Sequence, residues 1–408
     1  MKKRFLSAGL AVVMAASLTA CGGSGSASTT TAAAGEAKAE GESKAAESSA
    51  AADGASFKIG GIGPVTGGAA VYGLAVQHGA EIAVKEINEA GGINGYPVEF
   101  QFQDDEHDAE KSVNAYNTLK DWGMQALMGT VTSAPCIAVA DKTAADNMFQ
   151  ITPSGSAVEC AANPNVYRVC YSDPAQGTAS AKYIGEHKLA SKVAVIYDSS
   201  DVYSSGIYEK FAQEAPNQGI EVVDAEAFTA DSNKDFSTQL QKAKESGAEL
   251  VFLPIYYTEA SLILQQANTM DFAPQFFGCD GMDGILQVQN FDVKLAEGLM
   301  LLTPFAADAT DDLTVKFVKS FEDAYGETPI QFAADAYDAM YILKAAMEEA
   351  NVTPDMAVGD ICDAMEGAMT KIKVDGLTGT NMTWTEDGEP EKDPKAVQVV
   401  DGAYKAME

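Results

Sequence analysis

From Phe57 onward, short apolar runs alternate with amphipathic stretches of helical length, and this alternation limits the fold more than any other feature. "FKIGGIG" reads as a buried strand, followed by a Gly-rich loop and a helix from Gly73 to Glu89 that Gly91 and Gly92 stop. "VEFQFQ", "MQALMG" and "MFQIT" supply three more strands, with helices over Ala109–Asp121 and Ser133–Asp146 between them. The rhythm resumes with "KVAVIYD", a helix over Ile207–Ala215, "EVVDAEAF", a helix over Phe236–Glu245 and "LVFLPI". "GLMLLTPF", helices around Leu313–Tyr325 and Ala333–Ala350 and a β-rich tail complete the chain. Strands separated by helices of this length imply βαβ units and parallel sheets. Two such series, divided near Arg168–Gln176, predict two α/β lobes, and 408 residues suffice for both cores.

The first 56 residues belong to neither lobe. Lys2, Lys3 and Arg4 precede the apolar run Phe5–Ala16 and then "LTAC", which describes a secretory signal over 1–20. The run is shorter than the roughly 20 residues a spanning helix needs. Cys21 directly after Leu-Thr-Ala resembles the lipobox of bacterial lipoproteins, in which that cysteine is lipidated. Residues 21–56 are almost wholly small or charged and have nothing large and apolar to bury, so they read as a tether. The expected product is an extracytoplasmic body, lipid-anchored to the cell membrane.

Net charge is −32, and Arg168 is the only arginine after Arg4. Such a body repels phosphate backbones and anionic membranes, which excludes nucleic acid as a partner and leaves membrane attachment to the lipid. Five cysteines follow Cys21, namely Cys136, Cys160, Cys170, Cys279 and Cys362, with no C-x-x-C spacing to suggest zinc. In an exported protein a disulfide from Cys160 to Cys136 or Cys170 is expected.

In parallel α/β sheets, ligands bind beyond the carboxyl ends of the strands. The loops there include "GPVTGGAAVYG", "DDEHD", "GTVTSAPC", "TPSGSA" and "GCDGMDG". A serine triad lacks a suitable base, since the three histidines are His78, His107 and His187, and Ser154-Gly155-Ser156 does not fit G-x-S-x-G. "GIGPVTGG" lacks dinucleotide spacing, and no G-K-[ST] occurs. The acids Asp104–Asp108 suit a helix N-terminus better than a metal. No cofactor, metal or catalytic residue is therefore expected, and the chain does not read as an enzyme. Ser133 and Ser156 stand where strands give way to helices, where free N–H groups and hydroxyls welcome a carboxylate, or where serines simply cap. Asp280 lies at a strand end of the second lobe and can pair with an ammonium group. Together they describe a site for an α-amino acid.

Over Phe57–Met382 the sequence resembles the branched-chain amino acid binding proteins of ABC importers, which have the type I periplasmic-binding fold. The resemblance rests on "IGGIGPVTG", "GAEIAVKEINEAGGINGYPVEF", "TSAPCIAVADKTA", "TPSGSA", "YRVCYSDPAQG", "DFSTQLQKAKESGAELVFLP" and "AADAYDAM". It implies a monomer of two lobes, 57–173 with 304–376 and 174–303 with 377–408, joined by a hinge of three crossovers and closing on the ligand before an ABC permease. It implies that Ser133 and Ser156 hold the carboxylate, that the Ser154 carbonyl and Ser156 meet the ammonium with Asp280, and that Tyr72, Tyr203 and Tyr256 surround the ligand. Gly155 and Ser156 stand where the family often has Ala and Thr, and Asp280 where some members have Glu. His107 and Thr132 stand where some relatives place a disulfide. Arg168 begins a crossover and is expected to form a structural ion pair. The same fold carrying an aromatic acid, amide or short peptide, or acting as a ligand sensor, is the alternative.

Overall fold

The computed structural model describes residues 54–392 and 394–407; the signal segment, Cys21 and nearly all of the tether lie outside them. The first lobe opens with β1 (Phe57–Gly63), α1 (Ala70–Glu89), β2 (Val98–Asp104), α2 (Ala109–Trp122), β3 (Ala126–Gly129), α3 (Ser133–Asp146), β4 (Phe149–Thr152) and β5 (Val166–Arg168). These strands form one parallel sheet in the order β2-β1-β3-β4-β5, with Ile59 of β1 opposite both Phe100 and Ala126. The order reverses between β1 and β3, so the loops after β1, β3 and β4 open into one crevice.

The chain then crosses to a second sheet. It runs through α4 (Asp173–Glu186), β6 (Lys192–Asp198), α5 (Val202–Glu214), β7 (Glu221–Phe228), α6 (Ser237–Glu245), β8 (Leu250–Leu253), α7 (Tyr257–Thr269), β9 (Gln275–Gly278) and β10 (Met300–Thr303). From Thr303 it returns to the first lobe, where α8 (Asp312–Tyr325) and α9 (Gln331–Glu349) pack on α1 and α10 (Val358–Met369) packs on β4. The hairpin β11 (Thr383–Trp384) and β12 (Pro390–Glu391) sits against the first crossover, with Trp384 Nε1 donating to the Arg168 carbonyl at 2.9 Å. A third passage brings β13 (Lys395–Val400) and β14 (Ala403–Ala406) to the second sheet, whose order is β14-β13-β10-β9-β8-β6-β7. In this sheet β13 pairs antiparallel with both β10 and β14, and a tight Asp401-Gly402 turn with both φ positive joins β13 to β14. The result is an α/β protein of two parallel sheets flanked by helices and linked three times.

Several elements differ from the sequence-based expectation. α1 begins at Ala70, before Gly73, and α5 at Val202, before Ile207. α4, α7 and α10 were not expected at all. α4, for instance, is rich in small residues, and its Gly177 lies where an added Cβ would come within 2.4 Å of the Ile207 carbonyl of α5. Close backbone contact of this kind carries no apolar stripe to read. The same holds at Gly79 of α1, where a Cβ would meet the Ala333 carbonyl of α9 at 2.1 Å.

Candidate ligand-binding site

The loops after β3 and β4 are knitted together by serines. Ser133 opens α3, yet its Oγ accepts from the N–H groups of Ser156 (3.3 Å) and Ala157 (3.1 Å) on the neighbouring loop. Ser154 Oγ donates to the Val131 carbonyl at 2.7 Å. Beneath them the fully buried Arg168 donates to the carbonyls of Gly155 (3.3 Å), Ser156 (2.6 Å) and Ala157 (3.0 Å), with its Nε 3.2 Å from Glu389. The expected ion pair is present, and the guanidinium also fixes the shape of the loop. With the carbonyls held inward, the Ser133, Ser154 and Ser156 side chains line the crevice. Ser156 Oγ is buried in the cavity wall beside the Asp173 carboxyl.

Asp280 stands opposite, just past β9, and is 5% exposed. Its carboxylate accepts from Tyr203 Oη (2.8 Å) and Gln176 Nε2 (2.9 Å). Burial pushes its pKa up to about 6 against these bonds, because a desolvated carboxylate has no cation beside it. Aromatic rings close the space between the two sides. Tyr203 stacks on Tyr256 at 4.8 Å, Tyr256 meets Tyr72 edge-on at 5.7 Å, and Tyr72 stacks on Phe332 at 4.2 Å. The Tyr72 hydroxyl donates to the Gly281 carbonyl and accepts from Tyr257 N–H (3.2 Å), so it bridges the lobes.

A small cavity, about 10 Å³, lies between the two sides. Tyr72, Ser133, Ser154, Ser156, Tyr203, Tyr256 and Asp280 all line it. Gly155 does not. A Cβ there would come within 2.7 Å of Thr152 Oγ1 and 2.8 Å of Cys136 Sγ, so glycine lets the loop settle on Cys136 and makes no wall of its own.

Val131, Thr132, Gly281 and Phe332 also line the cavity and were not foreseen. Nor was Asp173, which opens α4 and joins the loop through its N–H to the Ser156 carbonyl (2.9 Å). Its carboxyl is pushed well up by burial, a shift that the Ser156 hydroxyl opposes. Asp173 lies in a stretch to which the sequence assigns no helix, and Phe332 reads as an ordinary core residue.

Cysteine chemistry departs from expectation. Cys136, Cys160, Cys170, Cys279 and Cys362 are all free thiols, so no disulfide leaves Cys160. Cys160 Sγ instead donates to the Ser133 carbonyl (3.6 Å), and Cys136 Sγ accepts from Gln150 Nε2 (3.6 Å). His107 Nδ1 lies 2.8 Å from Thr132 Oγ1, a hydrogen bond at the place where some relatives have a disulfide. The other acids of "DDEHD" serve loops: Asp108 caps α2 through Glu110 and Lys111 N–H, and Asp104 takes Val65 N–H and Thr66 Oγ1. His78 stacks on Tyr325 at 3.7 Å, away from the site.

A sequence profile described as periplasmic binding protein matches residues 56–403. The chain belongs to this family. Its members are substrate-binding transport proteins found outside the cytoplasm. A Leu/Ile/Val-binding protein homolog of Brucella melitensis is 31% identical over 305 residues, 74% of this chain and 82% of the relative. The leucine-, isoleucine-, valine-, threonine- and alanine-binding protein of Pseudomonas aeruginosa is 29% identical, over 72% of this chain and 79% of its own length. Among solved structures, the branched-chain amino acid transporter substrate-binding protein LivJ of Streptococcus pneumoniae, in complex with isoleucine, superposes with a TM-score of 0.77. It is 26% identical, with 86% of this chain and 99% of that one covered. Among the described residues no helix of this binding protein is long and apolar enough to cross a membrane.

Proposed function

We propose that this protein captures an aliphatic α-amino acid of the leucine, isoleucine and valine class and delivers it to the permease of an ABC importer. It does so as a monomer held to the membrane by a lipid on Cys21. The observation that carries the reading is the polarity of the cavity: serine and threonine side chains on one side, one buried carboxylate on the other, aromatic rings between. The ligand carboxylate would lie against Ser133 and Ser156, whose side chains line the cavity. The ammonium would meet the Asp280 carboxylate. The side chain would pack among Tyr72, Tyr256 and Phe332.

Transport needs only binding and closure. Each lobe holds one end of the ligand, so ligand favours the shut form that the permease reads.

The first test is a melting-temperature scan of the refolded, ligand-stripped body against all amino acids. Ligand at 100 times its Kd adds about 2.7 kcal/mol, a shift of several degrees for a chain of this size. A rise with leucine, isoleucine or valine is expected. A rise with benzoate-like acids and none with any amino acid would sink the reading.

A further inference from the structure

The turn carrying Asp280 also reaches into the opposite lobe. Asp283 N–H donates to the Asp280 carbonyl (2.8 Å), and Tyr404 Oη accepts from Gly284 N–H (3.3 Å), so the turn is anchored on the second lobe. Helix α9 of the first lobe starts at Gln331 after Ile330, whose side chain cannot cap it. The Asp283 carboxylate supplies the missing acceptor, taking Gln331 N–H at 2.7 Å in a buried bond. The residue after Gln331 is Phe332, which stacks on Tyr72 in the cavity. One turn of the second lobe thus presents Asp280 to the cavity and Asp283 to the helix that positions a cavity ring.

Behind this contact the polar groups continue towards the hinge. Gln331 Nε2 and Oε1 are buried without a hydrogen-bond partner, and the buried Asp335 carboxylate pairs with Lys392 Nζ at 3.9 Å without a hydrogen bond. Lys392 follows the β11–β12 hairpin, and its ammonium sits over the Tyr171 ring on the first crossover.

We propose that Asp283 is a positioning residue for closure: by capping α9 of the opposite lobe it holds Phe332 against the ligand and keeps the lobes shut. The bond spans the two lobes, so it breaks when they part. An uncapped, desolvated helix end is then exposed to water, which satisfies it; the cap therefore weighs only on the shut form. The inference rests on reading the cavity as the amino-acid site.

Asp283→Ala and Gln331→Pro remove the two ends of the same bond, and proline is well tolerated at the first helical position. Asp283→Asn, which keeps an acceptor oxygen, guards against a folding defect. With leucine as the probe, stopped-flow should show release accelerated roughly tenfold in either single variant, with the association rate within a few-fold of wild type. Asp283→Asn should recover part of the loss, and the double variant should be no worse than Asp283→Ala. Hydrogen exchange at the start of α9 should be slowed by leucine in the wild type and not in Asp283→Ala. Unchanged release, or losses that add in the double variant, would overturn the proposal. If the wild type binds no amino acid, the reading of the site fails instead; the latch is then judged with benzoate as the probe, where release from Asp283→Ala as slow as from wild type overturns it.

Discussion

Asp280 is a carboxylate buried with neutral donors only, and this sets two opposed effects at one residue. Its folded pKa of about 6 lies above the usual value for an aspartate, so its contribution to stability is fully present below about pH 4 and lost as pH rises through 6. Asp280→Asn should therefore melt above the wild type at pH 7.5 without ligand, and the gap should close by pH 5. The same variant should bind leucine more weakly by about 2–4 kcal/mol, because it removes one partner of a buried charge pair. An ammonium partner would lower the carboxyl pKa, so wild-type affinity, measured by calorimetry, should fall as pH drops below about 6. Ser156→Ala should weaken binding by roughly 1–3 kcal/mol. Ser133, Ser156 and Asp280 were legible because each stands where a strand ends. Asp173 and Phe332 were not, since the sequence assigns no helix at Asp173 and an apolar helix residue looks the same wherever it points.

At the scale of elements, the β4–α4 segment is held by what lies under it more than by its own sequence. Gly155 accommodates Cys136, and Arg168 gathers three successive carbonyls. Gly155→Ala should cost about 1–3 kcal/mol in urea unfolding through overpacking. Cys136→Ala should relieve part of that cost, and the two changes should not add. The disulfide expected from Cys160 illustrates the limit of cysteine counting: two thiols can be packed side by side as small buried groups, each with its own hydrogen bond. The long periodic helices, α2 and α9 among them, lay close to their sequence bounds. α4 and α7 were not foreseen; α4 packs on α5 through close backbone contact at Gly177, which no apolar stripe announces.

For the molecule as a whole, burial of acids dominates the pH response. Asp105 is pushed to about 7, and Asp201, Asp280 and Asp283 to about 6, each chiefly by desolvation. His78 and His107, lowered by burial, act in the opposite direction but are fewer. The folded state therefore holds extra protons between about pH 4 and 7, and the ligand-free protein should melt higher at pH 5 than at pH 8. The net charge of −32 adds self-repulsion in the same direction, which salt should reduce while leaving the buried part. Calorimetric scans at two ionic strengths separate the two contributions.

The sequence by itself determined the α/β class, the parallel sheets, the acidic character and the strand-end loops from which a site could be built. Those properties follow from local periodicity and composition, which each segment carries alone. Tertiary structure decided which loops meet. The strand order β2-β1-β3-β4-β5 brings three loops to one crevice, and residues as distant as Tyr72 and Gly281, or Asp283 and Gln331, touch only because the two lobes face each other. Such contacts depend on the summed packing of both sheets, and no short window of sequence contains it.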